Sequence, residues 1–222
     1  MAGIGAVVFD AYGTLLDVHT AMGRHADRVG SAWPLISADW RTRQLEYSWV
    51  RSLAGRHRDF WALTQDALTW AAARHGVTDA ALLRDVLSAY RQLDAFPDAL
   101  PALAQLQAAG IARAILSNGE PAMLADAVAN AGLQPLLDDV LSVESVGVFK
   151  PDPRVYQLAC DRFGLPAAAI GFVSSNPWDA FGAASFGFPV FWLNRGNAPV
   201  EYGLDTMATE IASLAALSDL LA

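Results

Sequence analysis

The chain has 222 residues, 54% of them hydrophobic and 17% charged, with a formal net charge of −8. That length suits one large domain or two small ones, with apolar content enough for a sizeable core. The acidic balance argues against nucleic-acid or anionic-membrane partners, which need basic surface, and leaves a small anionic substrate open, because local charge governs a pocket.

Val7, Val8 and Phe9 run into Asp10, and a Gly13-Thr14 turn follows. A short apolar run bounded by a turn predicts a buried strand of a parallel sheet with Asp10 at its carboxyl end. Nothing ahead of Asp10 has the basic, apolar character of a secretory leader, and no run approaches 18 apolar residues. A soluble, reduced, cytoplasmic protein is therefore expected. From about residue 18 to 95 no strand-like run occurs. Apolar residues at helical spacing predict helices from Trp40 through Leu53, from Phe60 to Ala73 and from Leu82 to Leu93, with Gly55 and Gly76 as stops. This helical insertion holds five of the seven tryptophans, expected mostly as bundle core. After Phe96-Pro97-Asp98 the pattern alternates. A helix is expected over Ala99–Ala109, a strand over Ile111–Leu116 ending in Ser117-Asn118-Gly119, and a helix to about Ala131. A short strand over Val140–Val143 precedes Lys150, and a helix opens at Pro153. A strand over Ile170–Val173 ends in Ser174-Ser175-Asn176-Pro177-Trp178-Asp179. A helix over Ala180–Phe186 and a strand over Pro189–Leu193 close the series. Cys160, the single cysteine, excludes an intrachain disulfide and is expected as a buried core thiol. The alternation predicts an α/β fold with a doubly wound, mostly parallel sheet, carrying an all-helical domain inserted after the first strand.

Parallel strands align their carboxyl ends on one edge, where ligands bind. Asp10, the pair Ser117 and Asn118, Lys150, and the group Ser174, Asn176 and Asp179 all follow strands and should meet there. Lys150 is also the single lysine among 15 Lys and Arg residues. A carboxylate beside an ammonium group is favoured in its ionised, nucleophilic form. Each feature alone has a bland reading: a turn, a solvated charge, a helix cap. Their joint placement points to a functional site.

The motifs Asp10-Ala-Tyr-Gly-Thr14, Leu116-Ser-Asn-Gly119, Lys150-Pro-Asp-Pro-Arg-Val-Tyr156 and Ser174-Ser-Asn-Pro-Trp-Asp179 resemble the haloacid dehalogenase superfamily, and more narrowly its L-2-haloacid dehalogenase branch. The resemblance covers nearly the whole chain. It implies a Rossmann-like core over 1–16 and 97–222 and a cap over 17–96. Superfamily phosphatases carry Asp-x-Asp in the first motif; here the second position is Tyr12, and the fourth motif holds one acid instead of a magnesium-binding cluster. A phosphate ester would lack a proton donor for its leaving group, whereas a halide needs none. The implied activity is hydrolysis of an (S)-2-haloalkanoate to the (R)-2-hydroxyalkanoate, with Asp10 forming an ester intermediate and with neither metal nor cofactor.

The resemblance also assigns roles. Lys150 keeps Asp10 ionised, and Asp179 activates or orients the hydrolytic water through Lys150 or Asn176. Thr14 and Ser174 position Asp10. Ser117, with backbone amides at the helix start, takes the substrate carboxylate. Arg41, Asn118 and the edge of Trp178 take the halide, and Tyr12, Leu45, Phe60 and Trp178 wall the alkyl group. Tyr156 borders the site and supports Lys150 or Asp179. A homodimer through cap-side aromatic surface is expected. Thr42 stands where relatives often have glutamine, and Pro177 and Phe181 replace smaller or more polar residues; these bear on substrate range. A metal-dependent phosphohydrolase of the same superfamily, a hydrolase of another electrophilic carboxylic acid, and a non-catalytic small-anion binder remain as alternatives.

Overall fold

The computed structural model describes residues 3–221. After β1 (Ala6–Phe9) come five helices: α1 (Thr20–Gly23), α2 (Ala26–Val29), α3 (Trp33–Leu53), α4 (Phe60–Arg74) and α5 (Ala80–Tyr90). The chain then alternates through α6 (Ala99–Ala108), β2 (Ala112–Ser117), α7 (Pro121–Asn130), β3 (Asp139–Ser142), α8 (Pro153–Phe163), β4 (Ile170–Ser174), α9 (Pro177–Phe186) and β5 (Val190–Leu193). It closes with α10 (Leu204–Met207), β6 (Thr209–Ile211) and α11 (Leu217–Leu221). Every strand pairing is parallel, and the six strands run in the order β3-β2-β1-β4-β5-β6.

This order reverses between β1 and β4, which opens a crevice beyond the carboxyl ends of those strands. Phe9 stands opposite Ile115 of β2 and Val173 of β4. Asp10, the next residue, therefore emerges into the crevice, between the loops that leave β2 and β4. All four residues of β1 are buried, as a central strand covered on both faces requires. Helix α6 packs on β2 and α9 on β4 and β5.

The inserted helices form a cap. Helices α3 and α4 lie along one another, Trp40, Leu63 and Leu68 are buried in the cap, and Phe60 turns toward Tyr12 and Phe149 of the core. Asp59 caps α4 by accepting from Ala62 N–H, and Asp79 caps α5 by accepting from Ala81 and Leu82 N–H. The two chain crossings lie side by side: Asp17 N–H donates to Asp94 O and Phe96 N–H to Leu15 O, each at 2.9 Å. Among the described residues no helix is long and apolar enough to cross a membrane.

Several elements differ from the sequence reading. Helix α3 begins at Trp33, seven residues early, because Pro34 suits a first helical turn. Helix α9 begins at Pro177 for the same reason, which puts Asp179 inside its first turn. Strand β6 was not anticipated; it is a three-residue edge strand with two exposed residues and no apolar run to announce it. Cys160 is half-buried, not a core thiol; the buried stripe of α8 is Val155, Tyr156 and Ala159, and Cys160 is turned one position off it. Trp40 is core, but Trp61 and Trp70 are only partly buried, with Arg91 at 4.4 Å and Arg43 at 4.1 Å over their rings.

Gly182 in α9 is where that helix meets Pro151 and Tyr156. A Cβ at this position would lie 2.5 Å from both Pro151 Cβ and the Tyr156 hydroxyl oxygen. Gly182→Ala is expected to lower stability by about 1–3 kcal/mol through overpacking. Urea unfolding should show a lower midpoint at unchanged slope.

Candidate active site

The loop after β1 turns sharply at Gly13, whose φ of +94° is open to glycine at little cost. This turn brings Thr14 back over Asp10. The Thr14 hydroxyl donates to Asp10 Oδ2 at 3.1 Å, and Asn176 Nδ2 donates to the same oxygen at 2.8 Å. Lys150 Nζ donates to Oδ1 at 3.0 Å. Three donors thus hold one nearly buried carboxylate in a single orientation. Asn176 stands at the N-cap position of α9 without capping it, because its Nδ2 donates to Asp10 and to Tyr12 O at 3.2 Å and its Oδ1 is turned to Arg41.

Lys150 has no exposed surface, and its ammonium also donates to Asp179 Oδ2 at 2.9 Å. Burial alone would pull the lysine pKa down, but the charges of Asp10 and Asp179 outweigh it and leave the pKa above its ordinary value. Asp179 is fully buried. Desolvation raises its pKa, and the Asp10 charge adds to this, against the pull of Lys150 and of a hydrogen bond from Tyr156. The Tyr156 hydroxyl donates to Asp179 Oδ1 at 2.8 Å. Burial, and then the Asp179 charge, push the Tyr156 hydroxyl well above the usual tyrosine range, so it stays a donor.

The cap closes the other side. Arg41 of α3 reaches across the crevice, and its Nη2 donates to Tyr12 O at 3.0 Å and to Asn176 Oδ1 at 3.4 Å. Asp10, Tyr12, Arg41, Leu45, Phe60, Ser117, Asn118 and Trp178 enclose a cavity of about 10 Å³. That is room for about one water, so admitting a larger molecule requires these walls to part. Asn118 Oδ1 accepts from Lys150 N–H at 3.0 Å, which leaves its amide hydrogens as the polar edge that it can offer. Ser117 Oγ accepts from Gly119 N–H at 3.1 Å and keeps its own hydrogen to donate.

The structure brings the residues assigned to the site together in one crevice, with three changes of place, while Thr42 and Phe181 are exposed and lie outside the cavity lining. Tyr156 does not border the cavity; it is buried behind Asp179. Ser174 Oγ accepts from Asn176 N–H at 3.1 Å, so it shapes the loop and does not touch Asp10. The first-turn N–H groups of α7 are taken by the Glu120 carboxylate, which caps Ala122 and Met123, so the helix start does not offer them to a substrate. Other contributors were missed. Ser175 N–H donates to Thr14 Oγ1 at 2.9 Å and its hydroxyl to Gly13 O at 2.7 Å. Arg195 pairs with Asp98 at 2.7 Å and donates to Thr14 O at 2.9 Å. Gln44 accepts from Arg41 at 2.8 Å; its position three residues after Arg41 on one helix face was the available signal.

Among the described residues no group of three or more His, Cys, Asp or Glu is arranged to hold a metal ion. The gap between the two facing carboxylates is filled by the ammonium group itself.

A family model for haloacid dehalogenase-like hydrolases matches residues 4–187. Over 222 residues the chain is 47% identical to (S)-2-haloacid dehalogenase 1 of Pseudomonas sp. (strain CBS-3), spanning 100% of this chain and 98% of that one. It is 48% identical over 218 residues to (S)-2-haloacid dehalogenase 4A of Burkholderia cepacia, spanning 98% and 94%. The fold matches that of L-2-haloacid dehalogenase from Xanthobacter autotrophicus with chloropropionic acid covalently bound, with a TM-score of 0.89, 39% identity and 98% of both chains covered. With its motifs assembled in one crevice and these relatives matched end to end, the chain belongs to the haloacid dehalogenase-like hydrolases.

Proposed function

We propose that this enzyme hydrolyses (S)-2-haloalkanoic acids to (R)-2-hydroxyalkanoic acids and halide. One observation carries the reading: the Asp10 carboxylate is paired with a buried ammonium group bridged to a second carboxylate, and Tyr12 stands where a phosphatase needs its acid.

In the first step an Asp10 oxygen attacks the α-carbon opposite the halogen. The new carbon–oxygen bond forms as the carbon–halogen bond breaks, and the halide leaves with the electron pair. The centre inverts. Arg41, the Asn118 amide and Trp178 stabilise the departing anion, and a fixed guanidinium suits that charge. The Ser117 hydroxyl holds the substrate carboxylate, and Tyr12, Leu45, Phe60 and Trp178 exclude water around the alkyl group. In the second step water adds to Asp10 Cγ. Its proton passes toward Asp179, which touches Asp10 through Lys150 and whose raised pKa suits it to accept. The acyl–oxygen bond then breaks, the leaving alkoxide takes that proton back from Asp179 to become the hydroxyl group, the hydroxyacid leaves, and an oxygen from water stays on Asp10. Thr14 and Asn176 hold Asp10 in line for both steps.

The same reading places the cap over 17–96 and the core over 1–16 and 97–222. It gives the protein a cytoplasmic setting and no nucleic-acid partner, in keeping with its single cysteine and its charge of −8. A homodimer is proposed through exposed Val50, Leu53, Phe181 and Tyr202.

Chloride release from (S)-2-chloropropionate without added metal is the direct test; magnesium-dependent turnover of a phosphate ester in its place would overturn the reading. Asp10→Asn is expected to abolish steady turnover, with deamidation excluded by mass spectrometry, and one turnover in heavy-oxygen water should label Asp10. Tyr156→Phe removes a hydrogen bond that favours ionised Asp179. Its pKa then rises further, and the acid limb of the kcat profile should move to higher pH. Lys150→Met leaves two buried carboxylates facing each other, at an expected loss of about 3–5 kcal/mol. Without the pull of the ammonium the folded-state pKa of Asp179, already above its unfolded value, climbs further. Stability is then best preserved below the unfolded pKa and is lost as pH rises through the folded one, so the variant's Tm deficit should be larger in neutral than in acidic buffer.

A further inference from the structure

We infer that Gln44, held by Thr64 and Tyr90, is the positioning residue that aims the Arg41 guanidinium at the departing halide. The inference rests on the halide role proposed for Arg41.

The side chains of Gln44, Thr64 and Tyr90 are buried, and they come from three different cap helices, α3, α4 and α5. Buried polar groups on three helices are costly unless they satisfy one another. Here they do, and the direction of each bond can be worked out. The Thr64 hydroxyl donates to Phe60 O at 2.7 Å. Toward Gln44, at 2.7 Å, that oxygen is therefore an acceptor, and it takes a hydrogen from Gln44 Nε2. This fixes which end of the amide is which. Oε1 must face the other way, and it accepts from Arg41 Nη1 at 2.8 Å. The Tyr90 hydroxyl lies 3.1 Å from Nε2 and 3.3 Å from Oε1 and blocks rotation of the amide. Burial raises the Tyr90 pKa, so the hydroxyl stays neutral. Trp40 Nε1 donates to Thr64 O at 2.8 Å and ties α3 to the same turn of α4.

Arginine has a long side chain with four rotatable bonds, and among the described residues no carboxylate lies within salt-bridge distance of Arg41. Neutral oxygens hold it: Gln44 Oε1 on one side, and Tyr12 O and Asn176 Oδ1 on the other. A neutral anchor fixes position without cancelling charge, so the full positive charge remains for an anion. A carboxylate at position 44 would hold the guanidinium equally well and weaken its field at the halide. Gln44 therefore acts on the reaction through Arg41 and touches no substrate.

A poor leaving group needs more stabilisation than a good one, so a misaimed Arg41 should slow chloride release more than bromide release. The measurement is single-turnover halide release from (S)-2-chloropropionate and (S)-2-bromopropionate, with urea unfolding of each variant. Gln44→Leu is expected to slow chloride release by roughly 10- to 100-fold, the scale seen when a catalytic group is misplaced or one charge-stabilising donor is lost. The bromide-to-chloride rate ratio should rise by about fivefold or more. Thr64→Val, which keeps volume and removes the oxygen that orients Gln44, should shift the ratio in the same direction by less, and Thr64→Ser should restore it. Equal slowing of both halides, or an unchanged ratio with reduced stability, would overturn the inference. Arg41→Lys separates the two layers. A shifted ratio for Arg41→Lys with none for Gln44→Leu or Thr64→Val sinks the positioning role alone; no shift for Arg41→Lys sinks the halide role beneath it.

Discussion

The ammonium group of Lys150, with no surface exposed to water, lies 3.0 Å from Asp10 and 2.9 Å from Asp179. A charge of this kind cannot be left alone in the interior, so the elements carrying its partners have to meet. Asp10 follows β1, Asp179 lies in the first turn of α9 after β4, and Lys150 arrives on the loop ahead of α8. Withdrawing Lys150 leaves both carboxylates buried and unpaired, which is far more destabilising than the intact pairs are stabilising. The close packing of Gly182 on Pro151 and Tyr156 serves the same arrangement, because it lets α9 come near enough for Tyr156 to donate to Asp179.

The charge balance of the pocket follows from this trio. Asp10, Lys150 and Asp179 together carry one negative charge, which would repel a carboxylic acid substrate. Arg41 brings the compensating positive charge, and it comes from the cap, not the core. The site is therefore complete only when cap and core are in contact. Asp10 and its support belong to the sheet edge, while the guanidinium and two of the apolar walls, Leu45 and Phe60, belong to the inserted helices. Neutral groups hold Arg41 in place, and the acid–ammonium–acid chain holds Asp10; the cationic and anionic halves of the site are supported separately.

Much of this was legible in the residues. Short apolar runs ending in Asp10, Ser117 and Ser174 mark buried central strands, because a strand covered on both faces has no room for polar side chains. The motif residues could be placed along one edge because parallel strands leave no other arrangement. Less legible were groups whose partners are distant in sequence. Ser175 sits beside Ser174 in the chain, but it lies past the end of β4 in a bend, and of the two only Ser175 reaches the Thr14 and Gly13 turn. Arg195 is one of many arginines until β5 places it against Asp98 and Thr14 O. Strand β6 carries almost no periodicity, and Cys160 lies one helical step from a buried stripe whose centre the residues alone do not fix.

By itself the amino-acid sequence determined the fold class, the inserted helical cap and the strand end that carries Asp10, since period, apolar runs and motif spacing are local properties of the chain. Only the tertiary structure decided that Lys150 bridges two carboxylates, that Tyr156 stands behind Asp179 and away from the cavity, and that Gln44, Thr64 and Tyr90 converge behind Arg41. The reason is directional. A hydrogen bond depends on ångström-scale distance and on which group donates, and both are set when separate elements pack together, after local pattern has said all it can.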